Sequence, residues 1–190
     1  MSAAHLGAAP FESWAFCAQS ALFSAMAMTL VVFTLAMRSN ATAMRAGGTG
    51  IIGLQRAGSA DKAHAILTAW GVDGRRSARR DLWLDLGLIV GYAVGLSVAF
   101  SSAVSGIADA AGQWWALAAR LFAWLPLLAG VVDIAENGFL AVILARYDEG
   151  NPKSLDGWPR GASVLSRIKF FLLALALGWV ALVLWPLLVP

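Results

Sequence analysis

Long apolar runs, rather than alternating polarity, dominate this chain. Stretches 15–37, 82–104, 121–144 and 168–188 each exceed twenty residues and carry almost no charge. The first holds none, the second holds Asp85, the third holds Asp133 and Glu136, and the fourth opens beside Lys169. A bilayer core takes about 20 apolar residues in a helix. Backbone polar groups in lipid must be bonded within their own segment, so each run predicts a transmembrane helix about 30–36 Å long. The short alternating strands of a membrane barrel do not occur. The expected fold is all-α, a single domain over 1–190. Its four transmembrane helices form one antiparallel bundle, with a short amphipathic cytoplasmic helix added.

That extra helix falls in the segment 38–81. Residues 46–53, AGGTGIIG, are glycine-rich and expected to be mobile. They lack the Gly-Lys-Ser/Thr ending of a phosphate cradle. Next, Ser59 suits an N-cap and Asp61 a first helical turn. Ala63, Ile66, Leu67 and Trp70 recur at i, i+3, i+4 and i+7, which predicts a helix over about 60–70 with one apolar face. Gly71 suits the position after its end. Two placements are open: flat in the membrane interface with Trp70 inward, or as a cap packed beneath the bundle.

Composition agrees with this pattern. The chain is 59% hydrophobic and 13% charged, against about 45–50% and 25% in soluble domains. So little charge cannot cover a water-facing surface, which excludes an ordinary soluble enzyme, a disordered tail and a nucleic-acid binder. The sequence pI of about 9.5 reflects where the charge sits. All of the 14 Lys and Arg residues except Arg120 lie in 38–81 and 145–169. The positive-inside rule then puts both long loops in the cytoplasm and both termini outside, in the inner (plasma) membrane. Arg75, Arg76, Arg79 and Arg80, just before the second run, anchor a helix end and can attract anionic lipid headgroups at the cytoplasmic face. The N-terminus lacks a basic n-region, so the first run is expected to stay as a helix. Trp14, Trp114, Trp115, Trp158 and Trp185 fall near run ends, the depth tryptophan prefers. Cys17, the lone cysteine, reads as a small hydrophobe. His5 and His64 lie far apart, and no metal motif occurs, so no metal and no cofactor is expected.

The few polar residues inside the runs are the candidate site. Charge in a bilayer costs at least about 2.5–3.5 kcal/mol and normally faces the bundle or a cavity. Asp81, Asp85 and Tyr92 share one helix face, as do Asp133, Glu136 and Asn137, with Gly130 a turn away. Antiparallel packing would bring Asp85 and Tyr92 near Glu136 and Asn137, and Glu136 is about 15 Å from Arg146 along the helix. Three carboxyls together at low dielectric cannot all stay ionised, so a proton or a cation must neutralise part of the group. Arg79, Arg80, Arg167 and Lys169 are the nearest candidate partners, at the cytoplasmic rim. The cluster has three readings: a structural pin, a binding or permeation site for a proton, cation or amine, and acid–base catalysis on a lipid-like substrate. Gly87, Gly91 and Gly95 form a GxxxGxxxG face for close helix packing, within the chain or across a homodimer. Pro126 is expected to kink the third helix.

The pieces ILTAWG (66–71), RRSARRDLWLDLGLIVGY (75–92) and GVVDIAENGFL (130–140) resemble a family of small four-span bacterial integral membrane proteins of unassigned activity. The resemblance covers about half of the chain, with Asp85…Tyr92 and Asp133-x-x-Glu136-Asn137 as its more specific parts. It implies interest in those five residues and supplies no substrate. In helix number and buried acids the chain is also similar to four-helix membrane isomerases and to sterol- or amine-binding proteins, an analogy of fold alone. The functional expectation is a non-enzymatic bundle, either an accessory subunit with a membrane-protein partner or a binder of a lipid or small cation. The alternative is a small proton- or cation-coupled transporter, or an intramembrane acid–base enzyme.

Overall fold

A computed structural model describes residues 8–41, 43–44, 50–150 and 155–188, without the side chains of 39, 105, 108, 110–111 and 183–188. His5, Arg45, residues 46–49, Lys153 and the side chain of Trp185 lie outside the described residues. The described residues form helices and no strand. In chain order these are α1 (Phe16–Asn40), α2 (Gly50–Gln55), α3 (Ala60–Ala111), α4 (Gln113–Asp148) and α5 (Trp158–Leu188). Four of them, α1, α3, α4 and α5, are long and apolar enough to cross a membrane.

Side-chain exposure has the polarity a lipid solvent demands. Outward positions hold large apolar groups, among them Phe16 (77% exposed), Trp83 (75%) and Val131 (65%). Asp133, Glu136 and Lys169 are buried. On α1, no part of the most apolar window is buried. Contiguous apolar exposure on this scale marks a membrane or interaction surface rather than a water-facing one.

Two compact units share the chain. The first comprises Met1–Thr29, Val90–Gly130 and Phe170–Pro190, the second Leu30–Ile89 and Val131–Lys169. In the first, a small-residue stripe on α4 (Ala116, Ala119, Ala123) packs in one core with Phe100, Val104, Ala176 and Trp179. Those alanines leave room for large rings, and Phe122 and Trp115 stack on Trp179 at 4.7 and 5.4 Å. The first helical turns are also tied down. Gln19 Nε2 donates to the Phe11 carbonyl at 2.7 Å, and Arg120 holds Glu12 through both carboxylate oxygens. α4 continues through the buried Pro126. Proline removes one backbone donor and crowds the preceding turn. There, Ser97 Oγ donates to the Ala123 carbonyl at 2.8 Å, a bond from α3 into the weakened turn.

In the second unit the amphipathic segment 60–70 opens α3. Ser59 caps it: its carbonyl accepts from Ala63 N at 3.1 Å and its hydroxyl from Lys62 N at 3.4 Å. Gly71, at φ 61° and ψ −166°, breaks the helix without ending its course, since only glycine adopts that backbone readily. Of the two placements the sequence leaves open, packing is what the structure has. Ala63, Leu67 and Trp70 are buried in one core with Leu140, Ile143 and Leu144 of α4. Residues 50–53, expected to be mobile, belong to α2, whose Leu54 is fully buried in that same core.

The glycine face of α3 meets α1 at close range within the chain. A Cβ on Gly87 would lie 2.3 Å from the Phe33 ring, and in the first unit a Cβ on Gly95 would lie 3.1 Å from Met26 Cβ. Gly91, between them, is buried.

Candidate functional site

The polar centre grows from one stripe of α4. Its buried positions recur three or four apart through Pro126, Ala129, Asp133, Glu136, Asn137, Leu140, Ile143 and Leu144. The acids therefore continue an apolar packing seam and are carried inward with it. Asp133 is 3% exposed, Glu136 0% and Asn137 6%. α5 supplies the countercharge. Lys169 is 5% exposed, and its Nζ lies 2.7 Å from both Asp133 Oδ1 and Glu136 Oε2. α3 supplies Asp85, whose Oδ2 accepts from Asn137 Nδ2 at 2.8 Å. One turn away, Asp81 is buried and accepts from Asn40 Nδ2 of α1 at 3.0 Å.

Four of the five residues singled out from sequence are thus brought together: Asp85, Asp133, Glu136 and Asn137. Tyr92 belongs to the other unit, seven residues along α3, and is half-buried there. Lys169 is the addition. α5 begins at Trp158, ten residues before the expected fourth run, so Lys169 sits three turns inside the helix rather than at a rim. A signal for this was present. Ala162, Ser163, Ser166, Lys169 and Ala176 fall on the buried stripe of α5, and small residues around a lysine mark a face packed against other helices. The other candidate cations sit elsewhere. Arg79 pairs with Asp148, which Arg75 also holds at 2.9 Å. Arg80 and Arg167 are exposed. Arg75 also stacks 4.9 Å over the Tyr147 ring, whose hydroxyl meets Thr68 Oγ1 at 2.8 Å.

In charge, three carboxyl groups share one ammonium. Burying an ion pair is sustainable when geometry is good and the remaining lone pairs are satisfied. Here satisfaction is incomplete: Glu136 Oε1, Asn137 Oδ1 and Ser166 Oγ are buried without a hydrogen-bond partner among the described residues. Also among the described residues, no three His, Cys, Asp or Glu side chains are disposed to hold a metal ion. Chemically, the arrangement can take up or yield protons and hold a polar ligand by its open acceptors. Beside it, a groove of about 290 Å³ runs between α3 and α4. Leu82, Trp83, Leu86, Ile134, Gly138 and Ala141 form its walls, with Asn137 and Arg79 in its lining.

Outside the spanning helices one titratable group stands out. The three Arg120–Glu12 nitrogen–oxygen contacts, one of 2.7 Å and two of 3.0 Å, hold the Glu12 carboxyl below the usual carboxylate range, hydrogen bonding to the guanidinium being the main cause. Arg120 has no acidic residue within ten positions of it in the sequence. The signal was that Glu12 is the one acid in 1–14.

No family model matches the chain, and neither a curated protein nor a solved structure does.

Proposed function

We propose that this multi-pass membrane protein is a non-enzymatic binder of protons, with Asp85, Asp133, Glu136, Asn137 and Lys169 as its exchange site. The observation that carries the reading is the excess of carboxyl over ammonium groups around a fully buried Glu136 with one oxygen unpartnered. At low dielectric that excess is strongly unfavourable unless protons reduce it. A proton needs no cavity, and Lys169 already fills the place between Asp133 and Glu136 that a small cation would take. Asn137 and Asn40 hold Asp85 and Asp81 from neighbouring helices, so charge changes at the centre reach α1, α3, α4 and α5 alike.

The test is an infrared spectrum of the protein in lipid nanodiscs, titrated over pH. A protonated-carboxyl band that titrates in the wild type and loses intensity in Glu136→Gln supports the reading. A spectrum without such a band, or one unchanged by the substitution, overturns it. A response to exchanging sodium for choline at constant pH would favour a small cation instead. The groove beside Asn137 favours one further reading, acid–base chemistry on a lipid-like substrate.

The distribution of arginine and lysine supports an inner-membrane topology with both termini outside the cytoplasm. In a Cys17→Ser background, Asn151→Cys is expected to resist a membrane-impermeant maleimide added from the periplasm. Labelling from that side would reverse the orientation.

A further inference from the structure

We propose that the groove between α3 and α4 seats one anionic phospholipid, its acyl chain along the apolar walls and its phosphate against Arg79. The shape and the charge point the same way. Leu82, Trp83 and Leu86 form one wall, Ile134, Gly138 and Ala141 the other, and Trp83 and Ile134 are 75% and 52% exposed, so the groove is open along its side. A chain of methylene groups meets no charged wall there. At the end marked by Arg79, the side chains of Arg79 and Arg75 share the single carboxylate of Asp148. Two guanidinium groups on one carboxylate leave one positive charge. Arg80, exposed on the same stretch of α3, adds to it, whereas the charge of Arg76 is offset by Asp73 at 4.0 Å. Arg79 keeps a half-exposed side chain while bound to Asp148, so a phosphate can reach it without breaking that pair.

Gly138 makes the groove testable. A Cβ placed there would meet no atom within 4 Å, and its backbone is ordinary helix. Gly138→Leu therefore starts its side chain in open space on the groove wall, with no clash at its Cβ. The experiment is native mass spectrometry of the detergent-solubilised protein with phosphatidylglycerol or phosphatidylcholine added separately. The wild type is expected to retain one phosphatidylglycerol with about fivefold preference, the worth of about one basic side chain near an anionic lipid. Gly138→Leu is expected to lose that bound lipid while keeping the wild-type melting temperature. Arg79→Gln is expected to retain lipid and lose the preference, and Arg80→Gln to keep most of it.

Equal retention of both lipids by the wild type overturns the proposal. So does phosphatidylglycerol binding that survives Gly138→Leu, or a preference lost equally on Arg79→Gln and Arg80→Gln, which would mark general attraction to a basic surface. The proposal is independent of proton exchange at Glu136, and Glu136→Gln is expected to bind lipid as the wild type does.

Discussion

Lys169 is the residue whose removal leaves most charge uncompensated. It is buried between two carboxylates, each 2.7 Å from its ammonium. Breaking a buried pair from one side costs about 3–5 kcal/mol, because the remaining charge stays desolvated. Lys169→Met is thus expected to destabilise the protein by that order in denaturant unfolding in bicelles. Adding Asp133→Asn and Glu136→Gln to the same chain should restore much of the loss. If Lys169→Met alone is neutral, the lysine does not neutralise the centre. Glu12 offers a different test at the same scale. Its folded carboxyl titrates below the unfolded one. The bond to Arg120 therefore contributes fully above the usual carboxylate range and is lost as pH falls through the lowered folded value. Protection of the amides in residues 8–15, measured against the intrinsic exchange rate at each pH, should fall on acidification from about pH 6 to about pH 3, and Glu12→Gln should show the lowered protection already at neutral pH.

Among the elements, the glycines of α3 differ in what surrounds them, and their substitutions should differ accordingly. A Cβ on Gly74 would lie 2.6 Å from Trp70 Cβ and 3.0 Å from the Ala43 carbonyl oxygen, neither of which can swing away. Gly74→Ala is expected to cost about 1–3 kcal/mol, the range for overpacking. Gly87→Ala meets the far end of the Phe33 side chain, which can swing away about its Cα–Cβ bond, and should cost less. Gly71→Ala is strained by the positive φ at the break and should cost about 1 kcal/mol or more. Thermal unfolding of the three variants side by side checks the order; a Gly74→Ala protein as stable as the wild type would contradict the packing. The amphipathic segment 60–70 was legible because its cap, apolar face and terminating glycine are local signals. Its place in the core depended on α4, which no local signal encodes.

For the whole molecule, the number of long helices follows from solvent physics. Backbone groups without water must be bonded internally, and four apolar runs then give four helices. The helices extend past the runs. α3 has 52 residues, about 78 Å if straight, against a hydrocarbon core of about 30 Å. The run boundaries mark where hydropathy changes, whereas helix ends are set by caps and breaks. That difference conceals the depth of Lys169, because the apolar run begins at 168 while its helix begins at Trp158. It also hid α2, too short and glycine-flanked to read as periodic.

By itself the sequence determined the helical class, the four helices long and apolar enough to cross a membrane and the inward face of the third, because burial of apolar surface and the rarity of charge are local, additive properties of a chain. The tertiary structure alone decided which groups share the centre. Asp133 and Lys169 are 36 residues apart, and Asp85 and Asn137 are 52 apart. Their pairing is fixed by the rotation and register of separate helices, and those depend on packing between surfaces that no single segment contains.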